Sequence, residues 1–242
     1  MTVHRLYFTV FSTTNGIRIC GNWYTGWMIN WNDIDTILLD MDGTLLDLYF
    51  DNYFWQEYLP RHWGEKHGLD TEAAKRELIP KFKSREGTLS WYCLDFWSSE
   101  LNIDVLKLKA DIEHLIEVRP SAQEFLESLI SRGKMPVMVT NAHQDLITMK
   151  LEKTGIGKYF REVISSHRLG APKEEAEFWH KLNQGMNFIP ARTMLIDDNL
   201  MVLRTARLYG ISNLFSIARP DSHLPVRDTE EFAAIHDFRD VM

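Results

Sequence analysis

The segment 36–46, Thr-Ile-Leu-Leu-Asp-Met-Asp-Gly-Thr-Leu-Leu, constrains this chain more than any other. A short apolar run reads as a buried strand and ends abruptly in Asp40 and Asp42, followed by Gly43 and Thr44. Residues two apart on an extended chain point to the same side. The two carboxylates are therefore expected to converge just beyond the carboxyl end of the strand, where open α/β sheets bind their ligands. Held that close they repel, so they require a divalent cation, a shared proton, or both. Gly43 has no Cβ, which permits a sharp turn or the close approach of a ligand. One carboxylate can attack while the other carries a proton, an apparatus suited to covalent phosphoryl transfer.

Strand-like runs occupy 36–40, 135–140, 163–165, 193–197 and 213–217, and helical patterns at 122–131, 144–154, 174–185 and 200–209 separate the later ones. The helical patterns stop at Gly133, Gly155, Gly185 and Gly210, since glycine just past a helix end is a common stop. Alternating strands and helices predict an α/β fold, a Rossmann-like parallel sheet flanked by helices. The interval 47–118 is far too long for a crossover, shows no strand-like alternation and holds helical patterns at 52–67, 71–82, 89–101 and 104–117. It reads as an inserted all-α cap over the active end of the sheet, able to exclude water and select a substrate. The expected division is a core of 28–46 and 119–220, a cap of 47–118 and a C-terminal tail of 221–242 with a short helical pattern near 229–234.

The net charge of −7 argues against a general nucleic-acid or anionic-membrane surface, and no run is long and apolar enough to span a bilayer. A small anionic substrate remains compatible with that charge, because a bound metal reverses the local field. Cys20 and Cys93 are far apart and the histidines form no ligand-like spacing, so neither a disulfide framework nor a zinc cluster is expected. With no export signal, a reducing cytoplasm is the expected compartment. Residues 1–27 break every periodic pattern, and Met28 opens the segment that leads into the first strand. Residues 1–27 are accordingly read either as translated upstream sequence, with Met28 the true start, or as an N-terminal extension.

Further polar clusters fall at the ends of the later strands. Thr140 and Asn141 end the second with a hydroxyl and an amide suited to phosphate oxygens, Lys173 follows the third with a point positive charge, and Asp197 and Asp198 end the fourth. Singly, each has an ordinary reading: Asn141 or Asn199 as a helix cap, Lys173 as a surface lysine, the acid pair as a turn. The ordered set acid-x-acid, Thr, Lys, acid-acid is far harder to obtain by chance.

With that set, the chain resembles the haloacid dehalogenase-like (HAD) superfamily, with Asp40–Thr44 as its first motif and Thr140, Lys173 and Asp197-Asp198 as the second, third and fourth. The insertion matches the helical C1 cap. Asp42 is the acid carried by the phosphatase branch and lacking in the dehalogenases. Trp91-Tyr92-Cys93-Leu94-Asp95-Phe96-Trp97, Thr140-Asn141-Ala142-His143 and the run from Asp47 to Trp55 extend the likeness to the bacterial GMP/IMP nucleotidases of this superfamily. Two positions depart from the common pattern: proline precedes Lys173, and the fourth motif reads Asp-Asp-Asn.

The resemblance implies a Mg²⁺-dependent phosphomonoester hydrolase that works through an aspartyl phosphate on Asp40, with Asp42 as general acid and base and Thr140 and Lys173 stabilising the transferring group. Mg²⁺ would be held by Asp40, the Asp42 carbonyl and Asp198, with Asp197 acting through water or as a second ligand. Gly43, Thr44, Asn141, Asp47 and Asp51 are the expected substrate contacts. Purine monophosphates, GMP and IMP, are the expected substrates. A small sugar phosphate or phosphoglycolate, and a phosphate- or nucleotide-binding module without catalysis, are the competing readings. The aromatic residues Tyr49, Phe50, Tyr53, Phe54, Trp55, Trp91, Tyr92, Phe96 and Trp97 could stack on a base or form the cap's own core. If Met28 is the start, protein from its native source has an intact mass beginning at Met28, and a mass for the full chain rejects that start.

Overall fold

The structure, a computed structural model, describes residues 29–242; the expected start at Met28 and Cys20 lie outside the described residues. Its centre is a six-stranded parallel sheet of β1 (Thr36–Leu39), β2 (Val137–Thr140), β3 (Glu162–Ser165), β4 (Thr193–Asp197), β5 (Asn213–Ile217) and β6 (Ala233–Ile235), in the order β3-β2-β1-β4-β5-β6. β1 lies between β2 and β4, with Leu38 opposite Val137 on one side and Leu195 on the other. Leu38 and Leu39 are fully buried, as a strand covered on both faces requires. The order reverses direction at β1, so the carboxyl ends of β1, β2 and β4 open onto one crevice.

Helices α1 (Tyr49–Tyr53), α2 (Leu59–His67), α3 (Thr71–Lys83), α4 (Leu94–Leu101) and α5 (Val105–Asp111) form the insert between β1 and β2. The core helices are α6 (Ala122–Ser131), α7 (Gln144–Thr154), α8 (Ser166–Leu169), α9 (Ala176–Met186) and α10 (Leu200–Tyr209). A π-helical turn, Phe54–Tyr58, joins α1 to α2 just before Pro60, whose missing N–H cannot continue the regular ladder. The first helix begins earlier than its periodicity predicts because the Asp47 carboxylate accepts the Tyr49 N–H at 2.9 Å. The helical pattern expected over 89–101 is broken at Cys93, whose extended backbone separates a 3₁₀ turn, Leu89–Tyr92, from α4. That over 104–117 ends at Asp111 and continues only as the turn Glu113–Leu115. Helix α9 runs through Gly185 and stops at Asn187, which takes the left-handed conformation at φ 53°.

The insert leaves and returns at one point. Leu46 bridges Val118 in antiparallel fashion, Asp47 N–H donates to Glu117 at 2.9 Å, and Arg119 N–H donates to Leu45 at 2.9 Å. Its interior is an aromatic cluster: Trp97 and Phe82 meet edge to face at 5.1 Å, and Trp55 stacks on Trp91 at 5.9 Å. These rings therefore form the insert's own core rather than a base-binding surface.

The tail differs from its sequence reading. Residues 233–235 are a strand, not a helix, and β6 pairs in parallel with β5 through Phe215–Ala233, Ser216–Ala234 and Ile217–Ile235. A run this short carries too little periodicity to distinguish the two. The segment expected as a separate tail thus completes the sheet, and Phe238 stacks on Phe125 of α6 at 5.0 Å. Phe238→Ala is expected to cost about 3–5 kcal/mol, as a buried ring in a main core does; a denaturation midpoint that does not move places the tail outside the cooperative unit.

Candidate active site

A tight turn follows β1: Gly43 N–H donates to Leu46 at 2.8 Å, and both Leu45 and Leu46 donate to the Met41 carbonyl. It places Asp40 at the strand end and projects Asp42 toward the insert. Gly43 sits at φ +76°, and a Cβ there would lie 2.8 Å from both Cγ and Oδ2 of Asp198. Only glycine allows that carboxylate to approach the turn so closely.

Asp40, Asp197 and Asp198 offer oxygens all within 4.8 Å of one another. Lys173 lies against this cluster with Nζ 2.5 Å from Asp40 Oδ1, 2.7 Å from Asp197 Oδ2 and 3.2 Å from the Val139 carbonyl. Its backbone is clamped on both sides: its N–H donates to Asn141 Oδ1 at 2.9 Å, and Trp179 Nε1 donates to its carbonyl at 2.9 Å. Burial opposes the charge on Lys173, but Asp197 and Asp40 outweigh it and raise its pKa. Burial raises Asp40 to about 6, with Lys173 opposing and Asp197 adding to the rise. Asp198 is pushed well above the usual carboxylate range by burial and then by the charges of Asp40 and Asp197.

The two acids at the end of β4 differ. Asp197 is fully committed, with Oδ2 on Lys173 and Oδ1 accepting the Asn199 N–H at 2.9 Å. Asp198 points at Gly43, and Arg227 from the C-terminal segment donates to its backbone carbonyl. An all-oxygen donor set of clustered carboxylates fits a hard divalent cation, with Asp198 better placed than Asp197 to bind it directly. Cys93, Asp95 and His143 are also brought within 4.8 Å, a grouping their sequence spacing does not show, but its thiol does not suit such an ion.

Thr140 is buried and its Oγ1 accepts the Ala142 N–H at 3.1 Å, while Asn141 Nδ2 donates to Glu174 Oε2 at 2.9 Å. Thr44 is fully buried and its hydroxyl has no hydrogen-bond partner among the described residues. Asp47 and Asp51 have other commitments. Asp47 holds the backbone N–H groups of Tyr49 and Ser222, and Asp51 is bound by Lys109 at 2.7 Å and Lys150 at 2.6 Å.

Glu174 and Lys150 went unnoticed in the sequence, and Tyr92 was read there only as one of the insert's aromatic residues. Glu174 gathers the loops, with Oε1 accepting from Tyr92 at 2.5 Å and from Asn199 Nδ2 at 3.1 Å. Tyr92 thereby ties the insert to the core, and burial followed by the charge of Glu174 raises its pKa. Lys150, 1 % exposed, donates to Asp42 Oδ1 at 2.6 Å. The signal for Lys150 was present: it falls on the buried face of α7 with Leu146 and Ile147, where a lysine needs a partner.

Asp40 and Asp42, both near 6, and Asp198, pushed well above the usual carboxylate range, bind protons in the folded chain that the unfolded chain releases near 3.8. Above that value they subtract stability as pH rises through the folded pKa; His167, lowered by burial, acts in the opposite direction but is a single group. Metal-free protein is therefore expected to melt at a higher temperature near about pH 5 than near about pH 8. Calorimetry showing the reverse order rejects this account of the cluster.

The chain is similar to known proteins in both sequence and fold. The chain is 37% identical over 211 residues to GMP/IMP nucleotidase YrfG of Escherichia coli, covering 87% of this chain and 95% of that protein. It is 27% identical over 128 residues to pyrimidine 5′-nucleotidase PynA of Streptococcus pneumoniae, covering 50% of this chain and 52% of that one. In fold it matches the crystal structure of a HAD phosphatase from Thermococcus onnurineus with a TM-score of 0.71 at 20% identity, over 86% of this chain and 96% of that chain. Residues 34–210 match the haloacid dehalogenase-like hydrolase family, and with the strand order and acid cluster already described, the chain belongs to that family.

Proposed function

We propose that this protein is a Mg²⁺-dependent 5′-nucleotidase that hydrolyses purine nucleoside monophosphates, GMP and IMP, through an aspartyl phosphate. The observation that carries the chemistry is Asp40 at the end of the central strand, bound by Lys173, with a second carboxylate, Asp42, two residues on. The identity of 37% to a GMP/IMP nucleotidase, over nearly the whole of that protein, supports the substrate class. Mg²⁺ fits the oxygen cluster, with Asp40, Asp198 and the Asp42 carbonyl to hold it and Asp197 behind them; when bound it supplies positive charge beside the phosphoryl oxygens.

Asp40 attacks phosphorus as the bond to the ribose oxygen breaks, and Asp42 gives that oxygen its proton. Asp42 then removes a proton from the water that cleaves the Asp40–phosphorus bond. A carboxyl raised to about 6 by burial, with Lys150 pulling it back, can hold a proton and release it near neutrality. Thr140, Lys173 and the backbone at Asn141 face charge that grows on the transferring group, where fixed donors act most strongly. Asp47 and Asp51 receive no substrate contact in this scheme, because their carboxylates are already held.

Phosphate release with Mg²⁺ from GMP, IMP, AMP, a pyrimidine nucleotide, a hexose phosphate and phosphoglycolate tests the reading. Preference for GMP and IMP is expected, with Asp40→Asn lowering turnover by on the order of 1,000-fold or more. Turnover of only a sugar phosphate or phosphoglycolate rejects the nucleotidase assignment. An active Asp40→Asn rejects the covalent mechanism.

A further inference from the structure

Asp42 is not free in its crevice. Its Oδ1 accepts from Lys150 Nζ at 2.6 Å, and the same ammonium lies 2.6 Å from Asp51 Oδ2. Asp51 Oδ1 in turn accepts from Lys109 Nζ at 2.7 Å. The four side chains form one line of alternating charge, Asp42–Lys150–Asp51–Lys109, that begins in the turn after β1, passes through α7 and ends on α1 and α5 of the insert. Both lysine side chains are 1 % exposed and Asp51 is 16 % exposed, whereas Asp42, at 21 %, is the most open member.

The far end of the line is packed against aromatic rings. Lys109 lies over the rings of Phe54, Phe50 and Trp55 at 4.2, 4.8 and 5.4 Å, and Lys150 lies over Phe50 at 5.1 Å. Aromatic faces favour an ammonium positioned in this way. Burial raises and the two lysines lower the pKa of Asp51, and the lysines prevail to bring it to about 2. Asp51 is therefore a fixed anion with both oxygens engaged, and it holds Lys150 in place.

A buried ion-pair chain is weak as a device for stability, because desolvation offsets most of the attraction. It is strong as a device for geometry. It also repeats the treatment of the nucleophile: Lys173 binds Asp40 and is anchored by Asp197, just as Lys150 binds Asp42 and is anchored by Asp51. Among the described residues, only Oδ1 of Asp42 has a hydrogen-bond partner, which leaves Oδ2 for proton transfer.

We propose that Lys150 is a positioning residue, which sets the Asp42 carboxylate for proton transfer to the leaving oxygen and is itself held by Asp51 and Lys109 of the insert. The proposal rests on the hydrolase reading above. In the step concerned, a bond forms from an Asp40 oxygen to phosphorus, the bond from phosphorus to the leaving oxygen breaks, and the proton on Asp42 passes to that oxygen. A ribose alkoxide needs that proton, whereas p-nitrophenolate departs without it. The ratio of kcat/KM for IMP to that for p-nitrophenyl phosphate therefore reports proton donation. It is insensitive to the later hydrolysis of the intermediate, because kcat/KM spans only the steps through departure of the leaving group.

The test measures this ratio in wild type, Asp42→Asn, Lys150→Met and Lys150→Arg, with a thermal melt of each. The ratio is expected to fall on the order of 100-fold in Lys150→Met, approaching Asp42→Asn, and by an intermediate amount in Lys150→Arg. If both substrates slow in parallel in Lys150→Met, so that the ratio is unchanged, the proposal is overturned and Lys150 is structural. A rise in the ratio also overturns it, because Lys150 would then hold Asp42 away from the reaction. If Lys150→Met fails to fold, Lys150→Arg decides on the same criterion. Wild-type turnover of IMP by Asp42→Asn overturns the acid role of Asp42 and the proposal with it, whereas absence of IMP turnover by the wild type overturns the hydrolase reading itself.

Discussion

Gathering Asp40, Asp197 and Asp198 at one end of a parallel sheet sets like charges against each other in a place largely closed to water. Lys173 makes the arrangement possible. Its ammonium is shared between Asp40 and Asp197, and its backbone is gripped by Asn141 from the end of β2 and by Trp179 from α9. Three segments distant in the chain, the ends of β1, β2 and β4, converge on this one residue. Moving it would leave buried carboxylates uncompensated, a larger penalty than any surface ion pair could offset. Asp198 stays open because Asp197 takes the lysine, and Gly43 makes room for it.

The insert is joined to this centre by few but specific contacts. Its two ends leave the core side by side at Leu46 and Val118. Tyr92 meets Glu174, which also collects Asn141 and Asn199, so one carboxylate links the insert to the loops after β2, β3 and β4. Asp51 and Lys109 reach the second acid through Lys150. The C-terminal segment contributes as well: Ser222 N–H binds Asp47, His223 stacks on Tyr49 at 3.6 Å, and Arg227 reaches Asp198.

The parts legible in the sequence were those written in local pattern. The strands from β1 to β5 stood out as apolar runs, and the catalytic candidates were marked by their fixed place after strand ends. Gly43 was legible as a close-approach position, although its partner was not. The misread elements were short or conflicted: β6 carries too few residues for a period to show, and the break at Cys93 interrupts an otherwise helical run. Asp47 and Asp51 were read as substrate contacts because they follow the first motif closely. The partners the structure gives them lie partly far along the chain, Ser222 beside Tyr49 for one and Lys109 and Lys150 for the other, and no local pattern announces those.

By itself, then, the sequence determined the fold class, the pair of acids after the first strand and the order in which the later polar clusters arrive, because strand periodicity and spacing from strand ends are properties of neighbouring residues. Only the tertiary structure decided which carboxylate each buried lysine holds. Lys150 lies 108 residues from Asp42, and Lys173 lies 133 from Asp40. Charge pairing across such separations depends on which helix face packs against which strand end. Burial then decides its strength, since the same pairs in water would contribute little.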